Sequence, residues 1–140
     1  FNAMDVLLNT AYGEGFGIPV LEAAACGTPA IVSDWTAMRE VGKAGWLVGG
    51  IKQFTDQQSW QLIPAVGEIV AALEAVYALD ASGVAATRKR VRRHAMQYDA
   101  DKVTQKYWKP LLEKFAAGIQ GDPVTIAELG PVAELEAVAA

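Results

Sequence analysis

Two glutamates, Glu14 and Glu22, are separated by seven residues that join a glycine turn, Gly13-Glu14-Gly15-Phe16-Gly17, to a helix-forming run, Ile18 to Cys26. Ligands of open α/β sheets settle outside the carboxyl ends of the strands, and Glu14 falls in such a strand-to-helix turn. Gly15 and Gly17 permit positive φ and let backbone approach a ligand closely. The free N–H groups from Gly17 through Ile18 to Val20, minus that of Pro19, would face an anion at the helix start. Glu22 follows about one turn into the helix, and its acceptor-only oxygens suit the paired hydroxyls of a ribose. Hydroxyls at both ends with phosphate between them describe a nucleotide sugar. A plainer reading stands beside this one: a glutamate early in a helix is favoured by the helix dipole alone, and glycine turns often bind nothing. Neither the GxGxxG fingerprint nor a GxxxxGK[ST] loop is present.

The elements that must position these residues read as α/β. Asp5-Val6-Leu7-Leu8-Asn9 is nearly continuous in apolar residues, the pattern of a parallel strand covered on both faces. Pro19 suits the first turn of the helix that follows, and Gly27 stops it. Pro29 to Ser33 reads as a second strand, Asp34 to Gly42 as a loop with a short helix, and Gly45 to Val48 as a third strand. Strand, turn, helix and strand within about 30 residues make a βαβ unit. Residues 49–63 read as a polar surface loop around Trp60, with Pro64 starting a helix whose Ile69, Val70, Leu73, Val76 and Tyr77 form one core-facing stripe. Asp80 to Gly83 breaks it. A further helix is expected from about Ala85 to Gln97, then a last one capped by Asp101 and kinked or divided at Pro110. Residues 1–117 thus form one α/β portion with closing helices, and 118–140 a flexible or loosely packed tail.

Length and composition narrow the classes. The chain has 140 residues, 52% of them hydrophobic and 20% charged, with a formal net charge of −4. That excludes a disordered chain and gives no whole-surface attraction to nucleic acid. No apolar run approaches the roughly 18 residues needed to span a bilayer, and the N-terminus carries no signal-peptide pattern, so the cytoplasm is the expected compartment. A single cysteine, Cys26, forms no intramolecular disulfide and reads as a small buried apolar residue. His94, the only histidine, has no ligand partner at metal-binding spacing, so no metal site is expected. Arg88-Lys89-Arg90-Val91-Arg92-Arg93 places five positive charges in six positions and reads as a solvated helix face. Trp60 reads as the core anchor of its loop, with the border of a base pocket as the other possibility.

The run from Asp5 to Asp34 carries a resemblance over about 30 contiguous positions. Its Glu14-Gly15-Phe16-Gly17-Ile18-Pro19-Val20-Leu21-Glu22-Ala23 core and the following Gly27-Thr28-Pro29-Ala30-Ile31-Val32 resemble the E-x7-E donor-binding element of the group 1 (family 4) retaining glycosyltransferases. The likeness continues more weakly through Glu40, Ala44 to Val48 and the segment from Tyr98-Asp99 to Leu112. It implies the second half of the C-terminal, Rossmann-like domain of a GT-B type enzyme. By position, Glu14 would be the catalytic residue that contacts the donor sugar and stabilises its ring as positive charge develops. Gly15, Phe16, Gly17 and Ile18 would lie against sugar and diphosphate, and Glu22 would bind the ribose. No cofactor beyond the nucleotide-diphosphate sugar is implied, and the acceptor is a sugar, lipid or small molecule. Thr36 and Ala37 depart from the glycine pair usual in that family.

The resemblance also implies that the N-terminal acceptor domain and the Arg and Lys that clamp the diphosphate lie outside this chain, which alone should not catalyse transfer. Because many acceptors of the family are membrane-bound, peripheral contact with a membrane is part of the expectation. Half a sheet leaves one edge uncovered, so the chain should self-associate through Asp5 to Asn9. Two other readings stay open. One is a dinucleotide-binding α/β module, with Asp34 as its acidic residue. The other is a non-catalytic assembly unit in which Glu14 and Glu22 are surface charges.

Overall fold

A computed structural model describes residues 1–118 and divides the chain into two units, Phe1–Val103 and a second that begins at Thr104. The first is α/β. Its strands β1 (Leu7–Asn9), β2 (Ala30–Ser33) and β3 (Trp46–Val48) form a parallel sheet in the order β1-β2-β3. Helix α1 (Ile18–Ala25) crosses from β1 to β2, and α2 (Met38–Val41) lies between β2 and β3.

The central strand β2 explains the layering. Alternate residues of a strand face opposite sides of the sheet. Ala30 and Val32 pack with Val20 of α1 and with Met38 and Val41 of α2, while Ile31 packs with Val48 and with Ala72 of α3 (Val66–Tyr77). All four β2 residues are buried, as the apolar run predicts for a strand covered on both faces. Helix α4 (Ala81–Ala95) closes over α1 through small side chains, with Ala24 against Val91 and Ala95.

Strand β1 departs from expectation. It pairs with β2 alone among the described residues, and although Leu7 packs on the core formed by Val20, Met38 and Val41, Leu8 is 48% exposed, so the strand is not covered on both faces. The edge expected at Asp5 to Asn9 is therefore open in the described unit.

Helix α1 ends as read. Gly27 takes φ +82, its N–H donates to Ala24 O at 2.9 Å, and the Thr28 N–H reaches Ala23 O at 2.8 Å. That is a Schellman ending, which needs a left-handed residue one step past the cap. Cys26 is the C-cap residue and is exposed, which corrects its reading as a buried residue: the helix turns its Ala23 and Ala24 face inward instead.

The largest correction concerns residues 49–63. They form an antiparallel hairpin, β4 (Gly50–Phe54) and β5 (Trp60–Pro64), with Ile51 opposite Ile63 and Phe54 opposite Trp60. Its five-residue turn closes through the Thr55 N–H to Ser59 O at 3.0 Å and the Gln58 N–H to Thr55 O at 2.9 Å, with Gln58 at φ +54. Pro64 ends β5 rather than starting a helix, a position where proline removes no ladder bond from a central strand. Trp60 is 57% exposed, and Leu62, not Trp60, anchors the hairpin by burial.

The helices differ in detail. On α3, Ile69, Ala72 and Val76 meet the sheet, whereas Val70 is exposed and Tyr77 is 94% exposed, so the expected stripe is narrower than read. Helix α4 begins at Ala81, earlier than Ala85, because Asp80 accepts the Gly83 N–H at 2.7 Å and the Ser82 hydroxyl at 3.0 Å. This N-cap carries the helix across its serine and glycine, and the Gly83 hydrogen bond, with that of Ser82, holds the Asp80 carboxyl below its usual range. Short α5 (Ala100–Val103) is capped by Asp99, which accepts the Lys102 N–H at 3.1 Å, two residues before the expected Asp101.

The second unit is described as a π-helical turn (Thr104–Trp108) followed by α6 (Lys109–Gly118). Pro110 lies in the first turn of α6, where its missing N–H disturbs little, so the division expected at this proline is made by the wider π turn ahead of it. The expected tail lies, beyond Gly118, outside the described residues. No single described helix is long and apolar enough to cross a membrane.

Candidate functional site

The loop that leaves the carboxyl end of β1 is held by ties from three other elements. Ser33, fully buried at the end of β2, donates its hydroxyl to Ala11 O at 2.6 Å. The Leu62 N–H of β5 donates to Tyr12 O at 2.9 Å. In the loop after β2, Thr36 Oγ1 accepts the Glu14 N–H at 3.1 Å.

Within the loop, the Glu14 carboxylate folds over its own backbone. Its Oε1 accepts the Gly15 N–H at 2.9 Å and, more weakly, the Phe16 N–H at 3.5 Å, while Oε2 makes no hydrogen bond among the described residues. Gly17 caps α1 in the left-handed region, φ +86 and ψ 41. A Cβ there would lie 2.9 Å from Met38 Sδ and 3.0 Å from Val41 Cγ2, so the glycine is required by conformation and by space. Gly15 does not take positive φ, contrary to expectation; a Cβ on it would meet nothing within 4 Å, so its absent side chain keeps the approach open.

The anion site expected at the helix start is narrower than read. The Val20 N–H already donates to Gly17 O at 3.0 Å, which leaves those of Gly17 and Ile18 without a partner among the described residues. Glu22 is the fifth residue of α1 and exposed, about 6 Å along the axis from Ile18 at 1.5 Å per residue. Glu14, Gly15, Phe16, Gly17, Ile18 and Glu22 therefore follow one another along a single loop and helix start.

A second shell of contacts was not singled out by residue chemistry. Phe16 meets Tyr98 edge-on at 6.3 Å between ring centroids, and Tyr98 meets His94 at 5.6 Å. The Tyr98 hydroxyl donates to Glu40 Oε1 at 3.0 Å. Burial, then the Glu40 hydrogen bond and charge, push the Tyr98 phenol up to about 12. These contacts fasten the end of α4 and the short α2 to the glycine loop. His94 is a buried packing residue, and among the described residues no group of three or more His, Cys, Asp or Glu is placed to hold a metal.

Asp34, the acidic residue of the dinucleotide reading, lies 2.8 Å from Arg39 Nε through Oδ1, in an alignment too poor for a hydrogen bond, and 3.4 Å from a second Arg39 nitrogen through Oδ2. Its charge is thus already matched. In the basic run, Arg90 donates to Ala44 O at 2.9 Å, Val91 is buried, and Lys89, Arg92 and Arg93 are exposed, as a solvated face requires. A cavity of about 480 Å³ opens beside Asp5, Val6, Pro29, Leu73, Val76 and Arg88, at the amino ends of the strands and away from both glutamates.

With this geometry in view, residues 1–62 match the family model described as Glycosyl transferases group 1. The parallel α/β arrangement is consistent with a piece of a GT-B glycosyltransferase domain. The chain is also similar to the O-antigen chain mannosyltransferase RfbU of Salmonella typhimurium (strain LT2), with 41% identity over 68 residues that cover 44% of this chain and 18% of that protein. The chain therefore corresponds to under a fifth of that relative's length. Both similarities are thus to glycosyltransferases.

Proposed function

We propose that the chain is the donor-binding part of a retaining, family 4 glycosyltransferase that uses a nucleotide-diphosphate sugar. The Glu14 carboxylate carries this reading: one oxygen is spent on its own loop and the other is open at the carboxyl end of a parallel sheet. Oε2 accepts hydroxyls of the donor sugar and faces the ring as positive charge develops. The Gly15-Phe16-Gly17-Ile18 backbone lies along sugar and diphosphate, with the Gly17 and Ile18 N–H groups toward phosphate. Glu22 accepts from the ribose hydroxyls. The bond from the anomeric carbon to the leaving phosphate breaks as the acceptor oxygen bonds on the same face, and the acceptor proton passes to the departing diphosphate. The scheme uses no metal and no cofactor besides the donor.

In this reading the acceptor domain and the cations that clamp the diphosphate come from elsewhere in the parent protein, so the 140 residues alone do not transfer sugar. The parent works in the cytoplasm, at the membrane surface where its acceptor is lipid-linked. Without its neighbours the chain self-associates through the open β1 edge. The name of the mannosyltransferase relative makes a nucleotide-diphosphate mannose the first donor to try.

The test is sugar transfer by the full reading frame. Glu14→Gln should lower kcat on the order of a hundredfold, and Glu22→Gln should chiefly raise KM for the donor. Unchanged turnover in both would overturn the assignment. Preference of the isolated chain for NAD over nucleoside diphosphates would favour the dinucleotide reading instead.

A further inference from the structure

We propose that Thr36 is a positioning residue for Glu14, an inference that rests on the donor-binding reading above. Thr36 has φ +50, a left-handed conformation that costs a β-branched residue on the order of 1–3 kcal/mol. Its side chain is exposed, so burial does not offset that strain. What the conformation provides is a hydroxyl turned to two partners: Oγ1 donates to Trp35 O at 2.8 Å and accepts the Glu14 N–H at 3.1 Å, 22 residues back along the chain. The next residue, Ala37, is ordinary helical backbone at φ −60, so the strain falls on Thr36 alone.

The tie acts at the point where Glu14 has least support of its own. Its carboxylate is bound to the two amides that follow it, Gly15 and Phe16, so side chain and loop move as one body. The Thr36 hydroxyl fixes the backbone of that body against the β2–α2 loop. Trp35 is anchored in turn, with its indole N–H 3.4 Å from Trp60 O and the Lys52 ammonium 4.4 Å from its ring centroid. A glycine at 36, as in the resembling family, would accept the same φ and lose the tie. Thr36 thus sets how firmly Glu14 meets the sugar, and leaves recognition of the nucleotide to other groups.

The experiment uses the 140-residue chain with Thr36→Gly and Thr36→Ser, and reads the Glu14 amide exchange rate by NMR together with binding of GDP-mannose and of GDP. Thr36→Gly keeps the conformation and removes the hydroxyl. The Glu14 amide should exchange about tenfold faster, GDP-mannose should bind about fivefold more weakly, and GDP should bind within about twofold of wild type. Thr36→Ser should match wild type in all three. An unchanged Glu14 exchange rate in Thr36→Gly, or equal weakening of GDP and GDP-mannose, overturns the proposal. Should the wild-type chain bind neither compound, the same comparison is made in the full reading frame, where absence of donor binding would overturn the donor-binding reading, while the exchange rates separately decide whether Thr36 holds Glu14.

Discussion

The molecule contains two turns built on opposite plans, one of eight residues between β1 and α1 and one of five between β4 and β5. The turn from β1 to α1 draws its ties from β2, from β5 and from the loop after β2, through Ser33, Leu62 and Thr36. The turn between β4 and β5 closes on itself, with Thr55 bonded to Ser59 and Gln58 to Thr55. Each contains a left-handed residue, Gly17 in one and Gln58 in the other. In the first, Met38 and Val41 leave that residue no room for a side chain; in the second, the side chain is exposed. A turn held from outside is as rigid as the fold around it. A turn held from within can open without consequence elsewhere.

Substitutions that remove this difference should have graded effects. Gly17→Ala adds a Cβ under 3 Å from Met38 Sδ at positive φ, and should destabilise the unit by about 2–4 kcal/mol in urea unfolding. Ser33→Ala leaves the Ala11 carbonyl without its partner and should cost about 1–3 kcal/mol; no loss would mean that the loop is held by its other two ties.

The Tyr98 contact sharpens the comparison through pH. Its phenol is raised in the folded chain, so the unfolded chain releases that proton first, and stability should fall as pH rises from about 10 through the folded value of about 12. Below that window the contribution is fully present. Tyr98→Phe should lose that alkaline slope in denaturation measured across the window. The smallest effect is expected at the self-contained turn: Gln58→Gly relieves a left-handed side chain and should gain at most about 1 kcal/mol, with no change in the Glu14 amide. A shift at Glu14 would show that the two turns are coupled.

What could be read from the sequence follows the same division. The βαβ unit was legible because Ile31 and Val32 sit in a continuous apolar run and because Pro19 and Gly27 mark the two ends of α1. The candidate glutamates were legible through their spacing across glycine. The hairpin was not, because β4 is exposed along its length, both strands carry a glutamine, and the turn uses Gln58 where an Asn-Gly or Asp-Gly pair would have announced it. Thr36 gave none, since no residue type announces a strained φ, and the start of α4 was hidden because Asp80, Ser82 and Gly83 resemble a break until the cap is seen.

The ties on the glycine loop also set an order in time. The hairpin joins residues only a few positions apart, and such structures form within about 1–10 μs. The loop's partners at Ser33 and Thr36 are each 22 residues away, and Leu62 is farther still. Those closures need α1 formed and the parallel strands aligned, and non-local parallel pairing is slow. Leu62 N–H can meet Tyr12 only when a finished hairpin docks. The glutamate loop thus takes its shape only once distant segments have met, whereas the hairpin can close without them.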